Sequence, residues 1–267
     1  MVREFPAPLR IAAWLFVALT ALLLLAPLVV VVGVSVSESQ FVAFPPQGFS
    51  LKWYQSVLSS DAFVGAAWLS LRIALLVTVS ATLVGGAAAI AIHRRLLPGS
   101  EALGAFFLSP LVLPTIIYAI GMLMLWSMVF GAVSIIALWI AHTVIAMPYV
   151  VRTTLAVLSE SDPFLEEAAR TMGAGRMQRL AFVVLPQCIP GLAAGAFFAF
   201  NISFDEAVLS LFLRRPGLTT LPVQIYGQLE FSPDPSVAAV SSIMIFITIL
   251  LIVLIDRLLG IKRFASA

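Results

Sequence analysis

The sequence predicts an all-α integral membrane protein with six transmembrane helices. Its mean hydropathy is +1.09, 61% of its 267 residues are hydrophobic and only 10% are charged. A bilayer core needs runs of about 20 apolar residues per helix, and six runs of that kind occur along the chain. No soluble core requires so much apolar sequence, so the composition places the protein in the membrane class.

Each predicted helix follows from one apolar run. The first run is too long for a signal peptide, and we expect a signal-anchor helix. Pro110 and Pro114 predict kinks in the third helix, whose freed carbonyls need neighbouring helices or water. In the fifth helix, Gly191, Gly195 and Ala199 form a small-residue stripe that permits close contact with a helix of this subunit or of another. The predicted spans are Ile11–Val34, Leu69–Ile92, Leu103–Trp126, Val133–Val151, a fifth from Pro186 or Ile189 to Phe204, and Val237–Ile255.

The charges predict the orientation of these helices. If six helices cross the membrane, the fifteen lysines and arginines divide unequally between its two sides. Eleven lie on the side of the N-terminus and four lie on the other side. Positive residues collect in cytoplasmic loops, so both termini are expected to be cytoplasmic. The segments 35–63 and 205–236 are then external, and the loop over residues 160–186 faces the cytoplasm. Two polar residues within spans, His142 and Asn201, are expected to have structural partners.

The sequence argues against catalytic and metal sites. It has one cysteine, Cys188, and two histidines that lie far apart in sequence, so it predicts no disulfide framework and no metal cluster. It has no nucleotide-binding glycine loop and no recognisable catalytic triad or carboxylate pair. We therefore expect no catalytic residue and no cofactor in this chain.

The 160–186 loop is the most informative segment because it is charged and lies between two apolar spans. Asp162 and Pro163 form a strong helix start, and Glu166 and Glu167 favour the same end of a helix through its dipole. The helix is expected to end near Met172, before Gly173. Its apolar stripe consists of Phe164, Ala168 and Met172, with Leu165 and Ala169 beside it. A narrow stripe next to acidic residues favours insertion into a groove of a partner protein over a position on anionic lipid.

This loop resembles a known family motif. Glu167-Ala168-Ala169, then Gly173-Ala174, then Leu185-Pro186 with Pro190-Gly191, is similar to the EAA loop of the permease subunits of binding-protein-dependent ABC importers. The resemblance implies the MetI-like six-helix permease fold, with an N-terminal helix and external segment over 1–60, a permease domain over 61–260 and a tail over 261–267. It further implies localisation in the bacterial inner membrane and no cofactor in this chain, because ATP and magnesium are bound by a partner ATPase.

The same resemblance implies a coupling role for the loop. It would dock into a dimer of ATP-binding subunits, beside a second permease subunit and an extracytoplasmic solute-binding protein. The small alanines would keep the helix thin, Glu167 would pair or hydrogen-bond in the cleft of the ATPase, and the two prolines would interrupt the helix that follows. The ATPase-coupling residues implied are Glu167, Ala168, Ala169, Gly173, Ala174, Leu185 and Pro186.

The outer end of the fifth helix is the candidate solute pathway. Asn201, Ser203, Asp205 and Glu206 place amide, hydroxyl and two carboxylates there, which would attract a cation. The alternative is that the carboxylates are ordinary headgroup-level charges or start a short helix. Ser203 to Glu206, with Pro216-Gly217 downstream, is similar to spermidine/putrescine permeases, although Ala207, Arg214 and Arg215 depart from that pattern.

The sequence therefore predicts a permease subunit that forms half of the pathway for a small organic cation such as a polyamine. An opine, an amino acid or another small polar solute is the alternative within the same class. A self-contained channel or secondary transporter is the alternative from another class, and it would need ionisable residues deep in several spans.

Overall fold

In the computed structural model, the described residues are 6–96, 98–162 and 164–259, and helices dominate them. Five of these helices are long and apolar enough to cross a membrane, or six if a bent pair counts as one span. The prediction of an all-α membrane protein is thereby confirmed. The helices are α1 (Ala7–Ser35), α2 (Lys52–Ser59), α3 (Asp61–His93), α4 (Ser100–Leu108), α5 (Thr115–Phe130), α6 (Ile135–Glu160), α7 (Phe164–Thr171), α8 (Arg176–Arg179), α9 (Leu185–Asp205), α10 (Val208–Phe212), α11 (Leu221–Phe231) and α12 (Ser236–Leu259).

The third predicted span differs most from expectation. It divides into α4, a 3-10 turn over Ser109–Leu111, and α5, with an angle of 98° across the break. Pro110 lies in the 3-10 turn, and Pro114 precedes α5 with an extended ψ of 127°. Each proline lacks an N–H and disfavours helical backbone in the residue before it. Two prolines so close together therefore break the helix instead of kinking it.

The fifth predicted span begins much earlier than expected. Helical backbone continues from Arg176 to Asp205, with a π-helical turn over Leu180–Val184 between α8 and α9. The expectation that Pro186 and Pro190 interrupt a continuous helix is therefore wrong. Pro186 lies two residues after the π turn, where the wider helical spacing relieves the clash between a proline ring and the preceding turn.

The described residues divide into two units, and the larger contains Gly65–Gln224 with the residues from Leu250 onward. Its core is built on α6, which packs along α9. Buried side chains from α3, α5 and α10 complete this core, among them Ile73, Val77, Ala119, Leu209 and Leu213. All of these side chains are apolar, so they mark the faces that are shielded from lipid within the subunit.

The small-residue stripe of α9 explains how closely α6 and α9 approach. A Cβ atom on Gly191 would lie 2.9 Å from the Thr153 carbonyl oxygen, and one on Gly195 would lie 2.8 Å from the Val150 Cα. The Thr153 hydroxyl donates a hydrogen bond of 2.9 Å to the Gly191 carbonyl. Ala199 continues the stripe and is fully buried. Of the two interpretations left open by the sequence, packing within this subunit is confirmed.

The smaller unit contains the residues up to Val64 together with Ile225–Ile249. The Tyr54 hydroxyl lies 2.7 Å from the Ser35 hydroxyl and 2.6 Å from that of Ser242, and so links α1, α2 and α12. The Trp53 indole N–H donates to the Ser37 carbonyl at 3.0 Å. The segment 35–63 is therefore ordered through Trp53 and Tyr54.

Candidate functional site

The 160–186 loop folds as a short helix, a tight turn and the start of a long helix. The Asp162 carboxylate accepts a hydrogen bond of 2.9 Å from the Phe164 N–H at the start of α7, while Pro163 lies outside the described residues. At the other end, the Gly173 N–H donates to the Arg170 carbonyl, and the Ala174 N–H donates to that of Ala169, both at 3.0 Å. With a φ of +86° at Gly173, this is the Schellman turn that ends helices. The predicted end of this helix, near Met172, is confirmed to within one residue, since α7 ends at Thr171.

The apolar stripe predicted for α7 is exposed in the isolated subunit. Phe164 is 70% and Met172 82% accessible, and Ala168 between them is also exposed. Ala169 differs from expectation, because it is 8% accessible and faces its own subunit. A larger side chain there would lift α7 from the rest of the loop. The exposed stripe therefore consists of Phe164 and Ala168 on α7 and of Met172 directly after it.

Of the two adjacent glutamates on α7, Glu166 is the one with ion-pair partners, whereas the sequence resemblance emphasised Glu167. The Glu166 carboxylate is ion-paired with Arg94, which follows α3, and it accepts a hydrogen bond of 3.2 Å from the Nε of Arg179 on α8. The Arg94 and Arg179 guanidinium groups hold the pKa of Glu166 below its ordinary value. Glu167 is exposed on the next position of α7. Two adjacent glutamates look alike in sequence, and only the fold brings Arg94 to one of them.

An open cleft of about 480 Å³ lies beside α7. Both acidic and basic side chains line it, including Asp162, Glu166, Glu167 and Arg170 from the loop. His93 and Arg94, at the end of α3, form another part of its wall. This mixture of charges with an adjacent apolar stripe suits contact with a protein surface.

Of the four candidate pathway residues at the end of α9, two share an accessible face of the helix and two do not. Asn201 and Asp205 are four positions apart, so they share one face of the helix. Asn201 is partly accessible and donates to its own helix, at the Phe197 carbonyl, while Asp205 is exposed. Ser203 is 4% accessible and faces α6, and the Glu206 carboxylate accepts from the Leu209 N–H at 2.9 Å, near the start of α10.

A buried histidine is the centre of a hydrogen-bonded network next to this end of α9. The His142 imidazole is 1% accessible. Its Nδ1 lies 3.0 Å from the Ser203 hydroxyl, and its Nε2 lies 3.1 Å from the Ser210 hydroxyl. Both ring nitrogens thus have partners, as a polar group in an apolar interior requires. The network joins α6, α9 and α10, which agrees with the structural role expected of His142.

Comparison with known sequences places most of the chain in one family. The model described as "Binding-protein-dependent transport system inner membrane component" matches residues 81–261. The spermidine/putrescine transport system permease protein PotC of Haemophilus influenzae is 30% identical over 85% of this chain and 88% of its own length. The putrescine permease protein PotI of Escherichia coli is 29% identical over 83% of this chain and 81% of its own. The putative 2-aminoethylphosphonate permease protein PhnV of Salmonella typhimurium is 28% identical over 87% and 88%.

Solved structures agree on the fold. A subunit of a bacterial ABC transporter that imports the acidic polysaccharide alginate superposes with a TM-score of 0.70 at 17% identity, over 95% of this chain and 98% of that one. A chain of the inward-facing MetNI methionine transporter gives a TM-score of 0.59 at 22% identity, over 73% of this chain and 93% of that one. At these identities the likeness establishes the MetI-like permease architecture alone.

Proposed function

Because this chain belongs to the family of inner membrane components of binding-protein-dependent transport systems, we propose that it forms half of the translocation pathway of an ATP-driven importer for a small organic cation, a polyamine of the spermidine/putrescine type. The observation that carries the proposal is the exposed stripe of α7 beside a cleft of mixed charge. A stripe of this size is unfavourable in water and suits a groove of a partner protein.

The partner at this stripe is an ATP-binding subunit, one of a dimer. Phe164 and Met172 enter its groove, and Ala168 keeps the centre of α7 thin. Glu167 is exposed and bonds with the ATPase, whereas Glu166 already has partners within its own subunit. Gly173 and Ala174 form the turn that returns the chain to the membrane, and Leu185 and Pro186 join the loop to α9. Ala169 does not face the ATPase. Its small, buried side chain lets α7 lie close to its own subunit.

We infer the remaining machinery by analogy with the family. A second, different permease supplies the other half of the pathway, and a solute-binding protein delivers the solute from outside. ATP and magnesium are bound by the ATPase, and this chain contributes no catalytic residue. We assign the permease domain to 61–260 and the N-terminal helix with its external segment to 1–60, while the tail assigned to 261–267 lies outside the described residues.

The orientation of the subunit is set by its basic residues. Arg94, Arg170, Arg176 and Arg179 all lie on or beside the 160–186 loop, and positive residues favour the cytoplasm. We infer on this basis that α7 and both termini lie in the cytoplasm of a bacterial cell and that the end of α9 faces the outside.

A polyamine is favoured by two observations. The PotC and PotI relatives are named for spermidine and putrescine transport. Asn201 and Asp205 share the accessible face of α9, and a carboxylate with an amide four positions away can contact a protonated amine. Ser203 supports this face through His142, and Glu206 contributes negative charge to the entry.

A second solute class is favoured by a different observation. PhnV is named for 2-aminoethylphosphonate, which carries both an amine and an anionic group. Arg214 and Arg215 are exposed in the turn after α10, close in sequence to Asp205. An aminophosphonate would use the carboxylate and the arginines together, whereas a polyamine would use the carboxylate alone.

Uptake into proteoliposomes that contain the assembled importer separates these two solutes. We expect labelled putrescine to be taken up with ATP, and Asp205→Asn to raise its KM. Arg214→Gln is the matched control, and it should leave putrescine uptake unchanged. If only 2-aminoethylphosphonate is transported and Arg214→Gln abolishes its uptake, the polyamine assignment is wrong.

A further inference from the structure

One carboxylate ties together α7, the neighbouring α8 and a third segment that is far from both in the chain. Glu166 lies on α7, Arg179 lies on α8, and Arg94 is 72 residues from Glu166 in sequence, directly after α3. The three side chains are 22% (Arg94), 32% (Glu166) and 18% (Arg179) accessible, so water screens them only in part. We name this cluster the Glu166 clasp.

The clasp differs from an ordinary surface ion pair nearby. Arg95 and Glu101 approach to 3.9 Å, but their side chains are 82% and 95% accessible. Exposed pairs of this kind contribute little to stability. The hydrogen bonds of the clasp are charge-assisted and partly buried, and bonds of that kind are among the stronger ones in proteins.

Arg179 also makes the loop rigid. Besides contacting Glu166, it donates a hydrogen bond of 2.9 Å to the Ala174 carbonyl, in the turn after Gly173. One arginine therefore holds α7, the turn and α8 together. Helical backbone continues from α8 through the π turn into α9, so α7 is connected to α9 through the chain itself. It is connected to α3 through the bond between Glu166 and Arg94.

We propose that Glu166 is a positioning residue that makes the end of α3 move together with α7 when the ATPase closes. This inference rests on the proposed function, because it requires an ATPase docked on α7. The clasp then couples α7 to α3, in addition to the chain connection that couples α7 to α9. A single displacement of α7 thereby moves both α3 and α9. Glu166 acts through Arg94 and Arg179 and does not contact the ATPase itself.

The first test measures solute uptake and ATP hydrolysis together in the full importer. We expect Glu166→Gln and Arg94→Gln each to lower labelled putrescine uptake per ATP by about tenfold, the order of effect for one charge-assisted bond. The amount of copurified ATPase should stay unchanged. The double variant should lose little more than either single variant, because both remove the same bond. Arg94→Lys, which keeps the charge, should recover part of the loss.

Arg95→Gln and Glu101→Gln are the matched controls, since they remove an exposed ion pair. Both should keep the uptake per ATP of the unaltered importer. If Glu166→Gln behaves like these controls, the clasp has no part in coupling. If the unaltered importer shows no ATP-driven uptake and no bound ATPase, the proposed function itself fails, and that result is distinct from failure of the clasp.

The second test follows the motion directly and does not depend on the solute. Spin labels at Leu96 and Thr171, introduced as cysteines in a Cys188→Ala background, report the distance between the end of α3 and α7. Both positions are exposed. With the clasp intact, this distance should stay the same when the ATPase binds ATP. In Glu166→Gln it should change by several ångströms, and an unchanged distance in that variant would overturn the proposal.

Discussion

At the scale of single residues, neighbouring side chains of the same type have different roles. Glu166 is held by two arginines of its own subunit, whereas Glu167 is exposed on α7. Ala169 is buried against the subunit, whereas Ala168 is exposed. The helical repeat separates these neighbours because adjacent positions are about 100° apart around the axis. One helix can thereby present one face to its own subunit and another to a partner.

The lowered pKa of Glu166 predicts how the clasp responds to acid. A carboxyl group with a lowered pKa in the folded state contributes stability above its ordinary pKa, and this contribution is lost as the pH falls through the lowered value. The difference in Tm between the unaltered protein and Glu166→Gln should therefore be present at pH 7 and vanish in acid. Thermal unfolding in detergent between pH 8 and pH 3 measures it.

Glu101→Gln provides the control for this titration, because Glu101 is almost fully exposed. It should leave Tm unchanged at pH 7, where Glu166→Gln lowers it. A Tm difference for Glu166→Gln that grows as the pH falls would contradict the described ion pairs.

Gly195 gives a second prediction at this scale. Its Cβ position is occupied by the Val150 backbone of α6, so Gly195→Ala should separate the two helices and destabilise the protein by about 1–3 kcal/mol. Gly121→Ala on α5 is the matched control, since nothing lies within 4 Å of its Cβ position. Unfolding by denaturant in detergent compares the two. Equal stability of both variants would mean that α6 and α9 are not in close contact.

At the scale of elements, α7 is small but has two chemically distinct sides. Its outer side carries Phe164, Ala168 and Met172, and its inner side carries Ala169 and the bond from Glu166 to Arg94. The helix has only eight residues, too few to be stable alone in water. Its shape therefore depends on the capping contact of Asp162, on the turn at Gly173 and on the packing of Ala169 against its own subunit.

Replacement of Phe164 tests the outer side of α7. Burying a phenylalanine stabilises a complex by about 1.5–3 kcal/mol, so Phe164→Ser should weaken ATPase binding roughly ten- to hundredfold. Titration of the purified subunit with ATPase measures the Kd. Phe41→Ser is the matched control, because Phe41 is similarly exposed on the segment proposed to be external, and its Kd should not change. Equal Kd values for both variants would exclude the α7 stripe as the docking surface.

At the scale of the whole molecule, the sequence predicted the long helices but did not predict how consecutive helices are connected. The spans α1 and α12 match their predicted runs closely, because hydropathy alone defines them. The break between α4 and α5 was expected only as a kink, since sequence does not reveal how far two prolines bend a chain. The continuity of α8 with α9 was missed because a π turn has no simple sequence signal.

The candidate site, like the fold, could be predicted from the sequence only in part. The caps and the apolar stripe of α7 are local patterns, and Asp162, Phe164, Met172 and Gly173 lie as expected. The pairing of Glu166 with Arg94 was not predictable, because it joins residues brought together only by the packing of helices. The separation of Ser203, which is buried against His142, from the accessible Asn201 and Asp205 was not predictable for the same reason.

The central claim is that this subunit is driven through the 160–186 loop, and reconstituted uptake tests it most directly. The measurement is ATP-driven uptake of labelled putrescine by the full importer, compared with Gly173→Asp, in which a side chain is forced into a backbone conformation with a φ of +86°. We predict that the variant binds its ATPase and hydrolyses ATP but takes up no putrescine. Undiminished uptake by Gly173→Asp, or uptake by this subunit without an ATPase, would contradict the account.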